Sequence, residues 1–355
     1  MNNKIIKVGC SALCGSLATI ASVHAGDMTV TGSADATWVS NNAVAGNPIG
    51  INSALTFKGS GELDNGWTFG YTIANLDASA FSSAAVGLTM GGLGTINLNQ
   101  GDSGNGIAAY DDKMPTAWEE AWGTGLSTGV RLAVGGSAST NIQYTTPTFL
   151  GTTFAIMHAP SYGVADTGDK ATANNNTHWD NATDVTLNVN PSFGFETLSG
   201  LNLFAGASQI ISHGGAANVS DKYEAVGGVT YSLGPISLGY QVSGDYTGID
   251  DGLEASSDAS DYNVYKNMAF GVAFNVSDSL SLSYGKWEAR KSGYTNTEGT
   301  NQIEENLRTV FVDSIQAAYT MGGATIRIAS SSVENAGWDT SADNEATTVS
   351  LGLAF

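Results

Sequence analysis

The Gly-Asp-Ser-Gly segment at 101–104 is the first part of the chain whose residue types suggest catalysis. A serine nucleophile needs a histidine base that a third group holds in place. The histidines beyond the N-terminal segment, His158, His178 and His213, all lie downstream of that serine, and no two of them are four residues apart. This order and spacing argue against a hydrolase and against a zinc site, so we expect no enzymatic activity.

A second group of chemistry-bearing residues is a run of carboxylates near residue 250. Its acids are Asp245, Asp250, Asp251, Glu254, Asp258 and Asp261. Oxygen ligands suit Ca²⁺, so one interpretation is a calcium site near Asp250, Asp251 and Glu254. Their spacing matches no EF-hand loop, and the alternative is a solvated charge run. We expect no required cofactor, and Ca²⁺ on acidic loops is the one candidate.

The segment 101–138 combines acids with tryptophans. Its acids include Asp102, Asp111, Asp112, Glu119 and Glu120. Trp118 and Trp122 stand four apart, with Pro115 before them and Gly123 after, which predicts a short helical turn. A connection of this length is usually functional or disordered, and the tryptophans argue against disorder.

The elements that must position these residues alternate with period two. In 67–74 the apolar and aromatic residues alternate with small or polar ones, and the pattern recurs in 236–243, 269–276, 280–284 and 324–328. In a strand, such alternation puts the apolar side chains on one face. The strands of a soluble β-sandwich also alternate apolar and polar residues, so this pattern alone does not distinguish a sandwich from a barrel.

Short turns and long polar connections follow one another in strict alternation. The short turns lie at 63–66, 91–94, 147–150, 197–200, 233–235, 277–278 and 322–323, and the long connections at 41–50, 76–83, 101–138, 159–181, 212–221, 247–260, 291–307 and 335–344. Outer-membrane barrels have short periplasmic turns and long extracellular loops. The sequence therefore predicts an all-β fold, a transmembrane antiparallel β-barrel of about 16 strands. The strand near 182–190 and the segment 126–137 are the least distinct, which leaves about 14 or 18 strands open.

Residues 1–25 predict a secretory signal peptide, because two lysines precede a mostly apolar stretch and the small-residue site Val23-His24-Ala25. The alternative, a transmembrane anchor, would need a longer and less Gly- and Ser-rich stretch. Cleavage would remove both cysteines and two lysines, so the net charge would fall from -20 to -22. We expect a single barrel domain over 26–355. So acidic a chain repels nucleic acid, and we expect no nucleic-acid partner.

The hairpin at 140–151 carries the most specific resemblance to a known family. Its sequence, Thr-Asn-Ile-Gln-Tyr-Thr-Thr-Pro-Thr-Phe-Leu-Gly, resembles the Asn-Ser-Ile-x-Tyr-x-Ser-Pro-x-Phe-x-Gly hairpin of the Gram-negative trimeric porins. The segments 323–327 and 351–355 also resemble the corresponding segments of that family. The last strand ends on an aromatic residue, Phe355, which resembles the usual assembly signal of outer-membrane barrels. The resemblance is nearest to the alphaproteobacterial (Rhodobacter-type) branch.

This resemblance implies that 101–138 folds into the barrel as a constriction loop. Asp102, Asp111, Asp112, Glu119 and Glu120 would then form its acidic side, held by the two tryptophans; the alternative is a solvated extracellular loop. The family sets basic residues on the opposite wall. The alternation directs Lys58, Arg308 and Arg327 inward. For Arg308, a surface charge at the end of a loop is an equally good interpretation. The alternation does not decide whether Arg131 points inward or outward. Trp67 and Trp287 suit the two aromatic girdles of such a barrel.

Together these patterns predict a water-filled channel for small polar solutes and ions, with a preference for cations. By resemblance, it would be a homotrimer in the outer membrane of a Gram-negative bacterium, in contact with lipid and lipopolysaccharide. Two alternatives remain at this point: a substrate-selective porin, and a closed structural or adhesive barrel.

Overall fold

The computed structural model describes residues 26, 28–40, 47–76, 82–102, 104–164, 178–191, 195, 198–213, 219–248, 264–292, 294–297, 300–303 and 308–355. For 294–297 and 300–303 it describes the backbone alone. Within these ranges no helix has the length and hydropathy that crossing a membrane requires. The expected signal segment, 1–25, lies outside them.

Sixteen antiparallel strands close into one barrel, as the turn pattern predicts. In chain order they are β1 (Met28–Ser40), β2 (Ile49–Glu62), β3 (Thr68–Leu76), β4 (Ser83–Thr89), β5 (Thr95–Gln100), β6 (Asn141–Thr145), β7 (Thr152–Ala159), β8 (Trp179–Val189), β9 (Leu201–Ser212), β10 (Lys222–Leu233), β11 (Ile236–Tyr246), β12 (Val264–Asn275), β13 (Leu280–Ser292), β16 (Arg308–Met321), β17 (Ala324–Glu334) and β18 (Asn344–Ala354). Strands β14 (Tyr294–Thr297) and β15 (Thr300–Ile303) form a separate hairpin in the loop between β13 and β16. Pairing of β1 with β18 closes the sheet, so the barrel has no open edge.

The two-residue alternation decides which side chains face out. On β11, for example, Leu238 and Tyr240 are exposed on the outer face, while Gln241 of the same strand is buried on the inner face. The last strand follows the same rule, with Leu351 and Leu353 exposed outside and Ser350 buried inside. An apolar exterior around a closed sheet is the arrangement that a bilayer stabilises.

The short connections lie at one end of the barrel and the long ones at the other. Gly66, Gly234 and Gly322 have positive φ values of 80°, 57° and 59° in three of the short turns, a conformation that glycine adopts without a steric penalty. The less distinct strand near 182–190 is present as β8. The segment 126–137 forms no strand and belongs to the connection 101–140 between β5 and β6.

That connection, here called the inner loop, folds into the barrel. Its outgoing arm (104–124) and its return arm (126–138) pack on the inner wall, and the main apolar core lies between loop and wall. The buried members of this core are Ile107, Met114, Ala121, Leu126, Ala133, Phe204, Val226, Ala269, Trp287, Ala289, Val310, Val312, Val333 and Ala346. The helical turn expected between Pro115 and Gly123 is limited to a 3₁₀ turn at Ala121–Gly123.

The placement of Trp287 in an outer aromatic girdle is wrong. Leu282 and Tyr284 point outward on β13, so the odd-numbered Trp287 points inward. It is 0% exposed and belongs to the core beneath the inner loop. A tryptophan on the inner face of a barrel indicates that something inside covers the wall at that height.

Candidate functional site

The outgoing arm begins on strands β8 and β9. The Ile107 amide donates a 3.0 Å hydrogen bond to the Asp184 carboxylate of β8. The ring of Tyr110 stacks on Phe204 of β9 at 5.1 Å between centroids. Asp184 is fully buried and also accepts the Gly136 amide of the return arm at 3.3 Å, so one carboxylate ties both arms to the wall.

The middle of the outgoing arm is held by β12, β13 and β16. The Gln316 side-chain oxygen accepts the amides of Trp118 and Glu119 at 3.1 and 3.0 Å, and its amide nitrogen donates to the Glu119 carbonyl at 2.7 Å. At Gly271 of β12 the loop comes so close that a Cβ would stand 2.8 Å from the Pro115 carbonyl oxygen. Glycine there allows the arm to lie flat against the wall.

Beyond this point, tryptophan packing and hydroxyl hydrogen bonds carry the arm to β17 and β18. Trp122 meets the buried Trp287 edge to face, with centroids 6.4 Å apart. The Thr124 hydroxyl shares a 2.6 Å hydrogen bond with Ser331, and the Thr348 hydroxyl donates to the Thr124 carbonyl at 2.6 Å. The loop therefore lines the wall from β8 round to β18.

The return arm is fixed by a buried ionic cluster on β10 and β11. The Arg131 Nε lies 2.5 Å from the Asp245 carboxylate, and Lys222 contacts both Glu224 and, at 3.6 Å, Asp245. Glu224 also accepts the Gly135 amide at 2.7 Å. Arg131 therefore lies on the inner loop and not on a strand of the wall, and its side chain pairs with Asp245 of the wall.

Four of the five predicted acids lie together on the outgoing arm. Burial, aided by the charge of Asp112, raises the pKa of Asp111 to about 7. Burial also raises the pKa of Glu120 to about 8, although its carboxylate accepts the Met114 amide at 2.7 Å. Burial raises the pKa of Glu119, and the positive charge of Arg327 opposes this shift. The fifth acid, Asp102, lies apart at the start of the loop, where its carboxylate accepts the Gly104 amide.

Arg327 faces this acid group from β17, where the alternation places it on the inner face. Its guanidinium pairs at 2.6 Å with Asp35 of β1. The guanidinium carbon also lies 6.0 Å from the centre of the Trp118 ring. Asp35 therefore offsets the charge of Arg327 at the point where β17 and β1 face the acidic arm.

The other predicted basic residues lie away from this point. Lys58 is exposed on the inner face of β2, between Thr29 and Thr72 on the neighbouring strands. Arg308 is exposed at the long-loop end of β16 and donates to the Trp338 carbonyl at 2.8 Å. Asp250, Asp251 and Glu254, the candidate calcium ligands, lie outside the described residues. Within the described part of the chain, no group of three His, Cys, Asp or Glu could hold a metal.

The inner wall of β2 to β5 is not covered by the loop. Its inward side chains are small or polar and, apart from the buried Asn99 of β5, at least partly accessible, in contrast to the largely buried inner face of β10 to β18. A cavity beside this wall is lined by Ser60, Glu62, Thr68, Thr72, Thr89 and Asn97. The open interior therefore lies between this wall and the acidic arm.

Sequence reasoning missed Asp35 and Gln316 and misplaced Trp287, although all three pair with or hold the predicted site residues. Each lies on the inner face of its strand, so parity could have indicated its direction. The contact that each makes joins parts of the chain about 160 to 290 residues apart, and neither spacing nor composition carries that information.

The family model for Gram-negative porins matches residues 10–304. Among solved structures, Salmonella typhi OmpF in complex with daunomycin matches with a TM-score of 0.62 at 13% identity, over 93% of this chain and 98% of that one. The anion-selective porin of Comamonas acidovorans (TM-score 0.61, 12%) and the trimer form of Vibrio cholerae OmpT (0.61, 11%) match over 93% of this chain and 100% of theirs. No curated protein matches.

The closed 16-stranded barrel with an apolar exterior and an accessible polar interior defines a transmembrane β-barrel channel of the outer membrane. The chain belongs to the Gram-negative porin family, whose model covers most of its length. It is therefore a multi-pass outer-membrane barrel that passes small solutes by passive diffusion. The solved relatives share the fold at low identity, and one of them is anion-selective, so ion preference must be sought in the charges of this chain.

Proposed function

We propose that this porin is a general-diffusion channel that prefers cations, and that the acidic arm of the inner loop is its constriction. The observation that carries the proposal is the grouping of Asp111, Asp112, Glu119 and Glu120 opposite the uncovered wall of β2 to β5. Fixed carboxylates in a water-filled passage raise the local concentration of cations.

The charge balance of the open interior supports this preference. Around the acidic arm, the described acids Asp35, Asp111, Asp112 and Glu119 face the bases Lys113 and Arg327. Lys58 and Glu62 lie on the uncovered wall, and Lys291 and Arg308 lie at the long-loop end. The bases are weakened further, since Arg327 pairs with Asp35 and the Lys113 ammonium lies 3.8 Å from Asp112. Arg131 of the return arm and Lys222 of the wall are paired with Asp245 and Glu224, so the two positive charges of this cluster are balanced and contribute little to the passage.

We further propose that the channel assembles as a homotrimer. Strands β4, β5 and β6 have 7, 6 and 5 residues, fewer than the roughly 9 to 11 that a tilted strand needs to cross a bilayer. A neighbouring copy covering this low part of the wall would shield it from lipid. The solved OmpT relative is described as a trimer form, which agrees with such an assembly.

The remaining expectations belong to this proposal. The hairpin at 140–151 supports a place near the Rhodobacter-type branch, and the N-terminal pattern supports a signal peptide over 1–25.

The carboxylates Asp250, Asp251 and Glu254 have two interpretations, a Ca²⁺ site and a solvated charge run. Calorimetry of Ca²⁺ binding to the folded protein distinguishes them, because a solvated charge run binds Ca²⁺ weakly or not at all. No catalytic role is proposed for any residue.

The direct test is the zero-current potential of the refolded protein in a planar bilayer with a KCl gradient. Cation preference predicts a potential of the sign set by K⁺ flow. Anion preference from an open channel would contradict the role of the acidic arm, and absence of conductance from a folded barrel would contradict the open channel itself.

A further inference from the structure

The connection between β17 and β18, residues 335–343 and here called the strap, lies on the return arm of the inner loop. The Gly337 amide donates a 2.9 Å hydrogen bond to the Thr128 carbonyl of that arm. The two backbones are in contact, since a Cβ added to Gly129 would stand 2.7 Å from the Gly337 Cα. Trp338 is partly buried and packs on the apolar core that the inner loop shares with the wall. The inner loop is therefore held by the strap as well as by the wall.

The backbone of the strap is strained at Trp338. Asn335, Gly337 and Trp338 have positive φ values of 58°, 62° and 62°. Glycine adopts this left-handed conformation freely and asparagine tolerates it, whereas it is unfavourable for a bulky tryptophan. A residue persists in such a conformation only where its surroundings fix it. The contacts of Trp338 must therefore offset this strain.

Three strands of the wall hold Trp338. Its indole nitrogen donates to the Ala289 carbonyl of β13 at 3.2 Å, and its ring lies 5.2 Å from the Tyr265 ring of β12. Its carbonyl accepts the Arg308 guanidinium of β16 at 2.8 Å. The Lys291 ammonium of β13 lies 5.5 Å from the centre of the Trp338 ring, within the range of a cation–π contact. Trp338 is thus docked at the inner face of β12, β13 and β16.

The same aromatic group reaches the return arm. The Arg131 guanidinium carbon lies 4.9 Å from the centre of the Tyr265 ring, and the Asn267 side chain donates to the Arg131 carbonyl at 2.7 Å. Arg131, Tyr265 and Trp338 therefore form one chain of contacts from the return arm to the strap. The return arm is tied in turn to the outgoing arm, because Asp184 accepts amides of both. A shift of the strap would therefore be passed on to the acidic arm.

We propose that Trp338 is a positioning residue of the constriction, which it keeps in place by fixing the strap on the return arm. Trp338 lies at the long-loop end of the barrel, away from the acidic arm, so it acts through the inner loop. The inference rests on the proposed function, because it takes the inner loop to be the constriction.

Single-channel recording of the refolded barrel in a planar bilayer compares the parent with Trp338→Ala and Trp338→Phe. The alanine variant loses the ring contacts and the hydrogen bond to Ala289, so the return arm is released part of the time. We expect a second, larger current level whose occupancy relative to the main level rises about tenfold or more over the parent. The cation-to-anion permeability ratio at that level should be lower than in the parent, because the acidic arm has moved away from the passage. Trp338→Phe keeps a ring on Tyr265 and should restore most of the parent behaviour.

A second substitution reaches the same contact from the inner loop. Gly129→Ala places a methyl group 2.7 Å from the Gly337 Cα and should push the strap off the return arm, with the same larger current level. Gly66→Ala is the matched control, because Gly66 also has a positive φ, 80° against 72° for Gly129, but none of the described atoms lies within 4 Å of its added Cβ. We therefore expect currents like those of the parent from Gly66→Ala. Where Trp338→Ala does not refold, Gly129→Ala decides the question by itself.

The outcomes separate this inference from the proposed function. A merely structural role predicts a lower unfolding temperature for Trp338→Ala and Gly129→Ala with the current levels and permeability ratio of the parent, and this result would overturn the inference. Equal changes in Gly129→Ala and Gly66→Ala would also overturn it, since backbone strain alone would then account for them. Anion preference of the parent channel would contradict the proposed function, while larger currents confined to Trp338→Ala and Gly129→Ala would still support the role of the strap.

Discussion

At the scale of single residues, the account depends on carboxylates whose charge reaches the passage. Replacing Asp112 with Asn removes an exposed charge beside the open interior. A unit charge about 8 Å from an ion in water contributes about 0.5 kcal/mol, so we expect the cation-to-anion permeability ratio to fall about twofold. Reversal potentials measure this ratio. Asp278→Asn, which removes an acid from a short turn, is the matched control and should leave the ratio unchanged.

Substitutions of Asp35 and Arg327, which form an ion pair, should change the cation preference in opposite directions. Arg327→Gln leaves Asp35 without its partner, so cation preference should increase. Asp35→Asn leaves the guanidinium free beside Trp118, so cation preference should decrease. The same bilayer measurement checks both variants. Shifts in the same direction would show that this pair does not border the conducting path.

The raised pKa of Asp111, about 7, makes ion selectivity depend on pH near neutrality. Below this pKa the carboxyl group is neutral, and above it the group carries a negative charge. Cation preference should therefore rise as the pH increases from about 6 to about 8. Recording reversal potentials over this range tests the prediction. In Asp111→Asn the pH dependence should become shallower, with Glu120 left to titrate at about 8.

At the scale of elements, the inner loop is the part whose seating sets the width of the passage. Trp122→Ala would remove its edge contact with Trp287 and leave a cavity in the core, at a cost of about 3 to 5 kcal/mol to the seating of the loop. We expect larger and noisier single-channel currents with an unchanged strand signal in circular dichroism. Trp38→Ala, on the outer face of β1, is the matched control. Identical currents in the two variants would mean that Trp122 does not hold the constriction.

The strands can be predicted from the sequence, whereas the contacts that hold the inner loop cannot. Alternation and turn residues are local, so they predict a barrel of about 16 strands and the inward direction of Arg327. That the connection 101–138 folds into the barrel is implied only by the family resemblance. The ionic cluster of Arg131, Lys222, Glu224 and Asp245 could not be predicted, because it joins three segments of the chain that are far apart in sequence. The aromatic character of Trp287 suggests a place in a girdle, whereas its position three residues after the outward Tyr284 directs it inward.

At the scale of the whole molecule, the short strands β4 to β6 locate the proposed trimer contact. Leu98 is exposed on the outer face of β5, where an arginine would place a charge inside that contact. We expect Leu98→Arg to convert the trimer to monomers on native electrophoresis. Leu238→Arg, on the outer face of β11, serves as the control because that strand lies on a taller part of the wall. Trimers that persist in Leu98→Arg would place the contact elsewhere.

The central claim is that an acidic inner loop makes an open outer-membrane barrel prefer cations. The measurement that tests it most directly is single-channel recording of the refolded protein in a planar bilayer under a KCl gradient. The account predicts stable conducting steps whose zero-current potential has the sign of K⁺ selectivity. A zero-current potential of the opposite sign, from channels of comparable conductance, would contradict it.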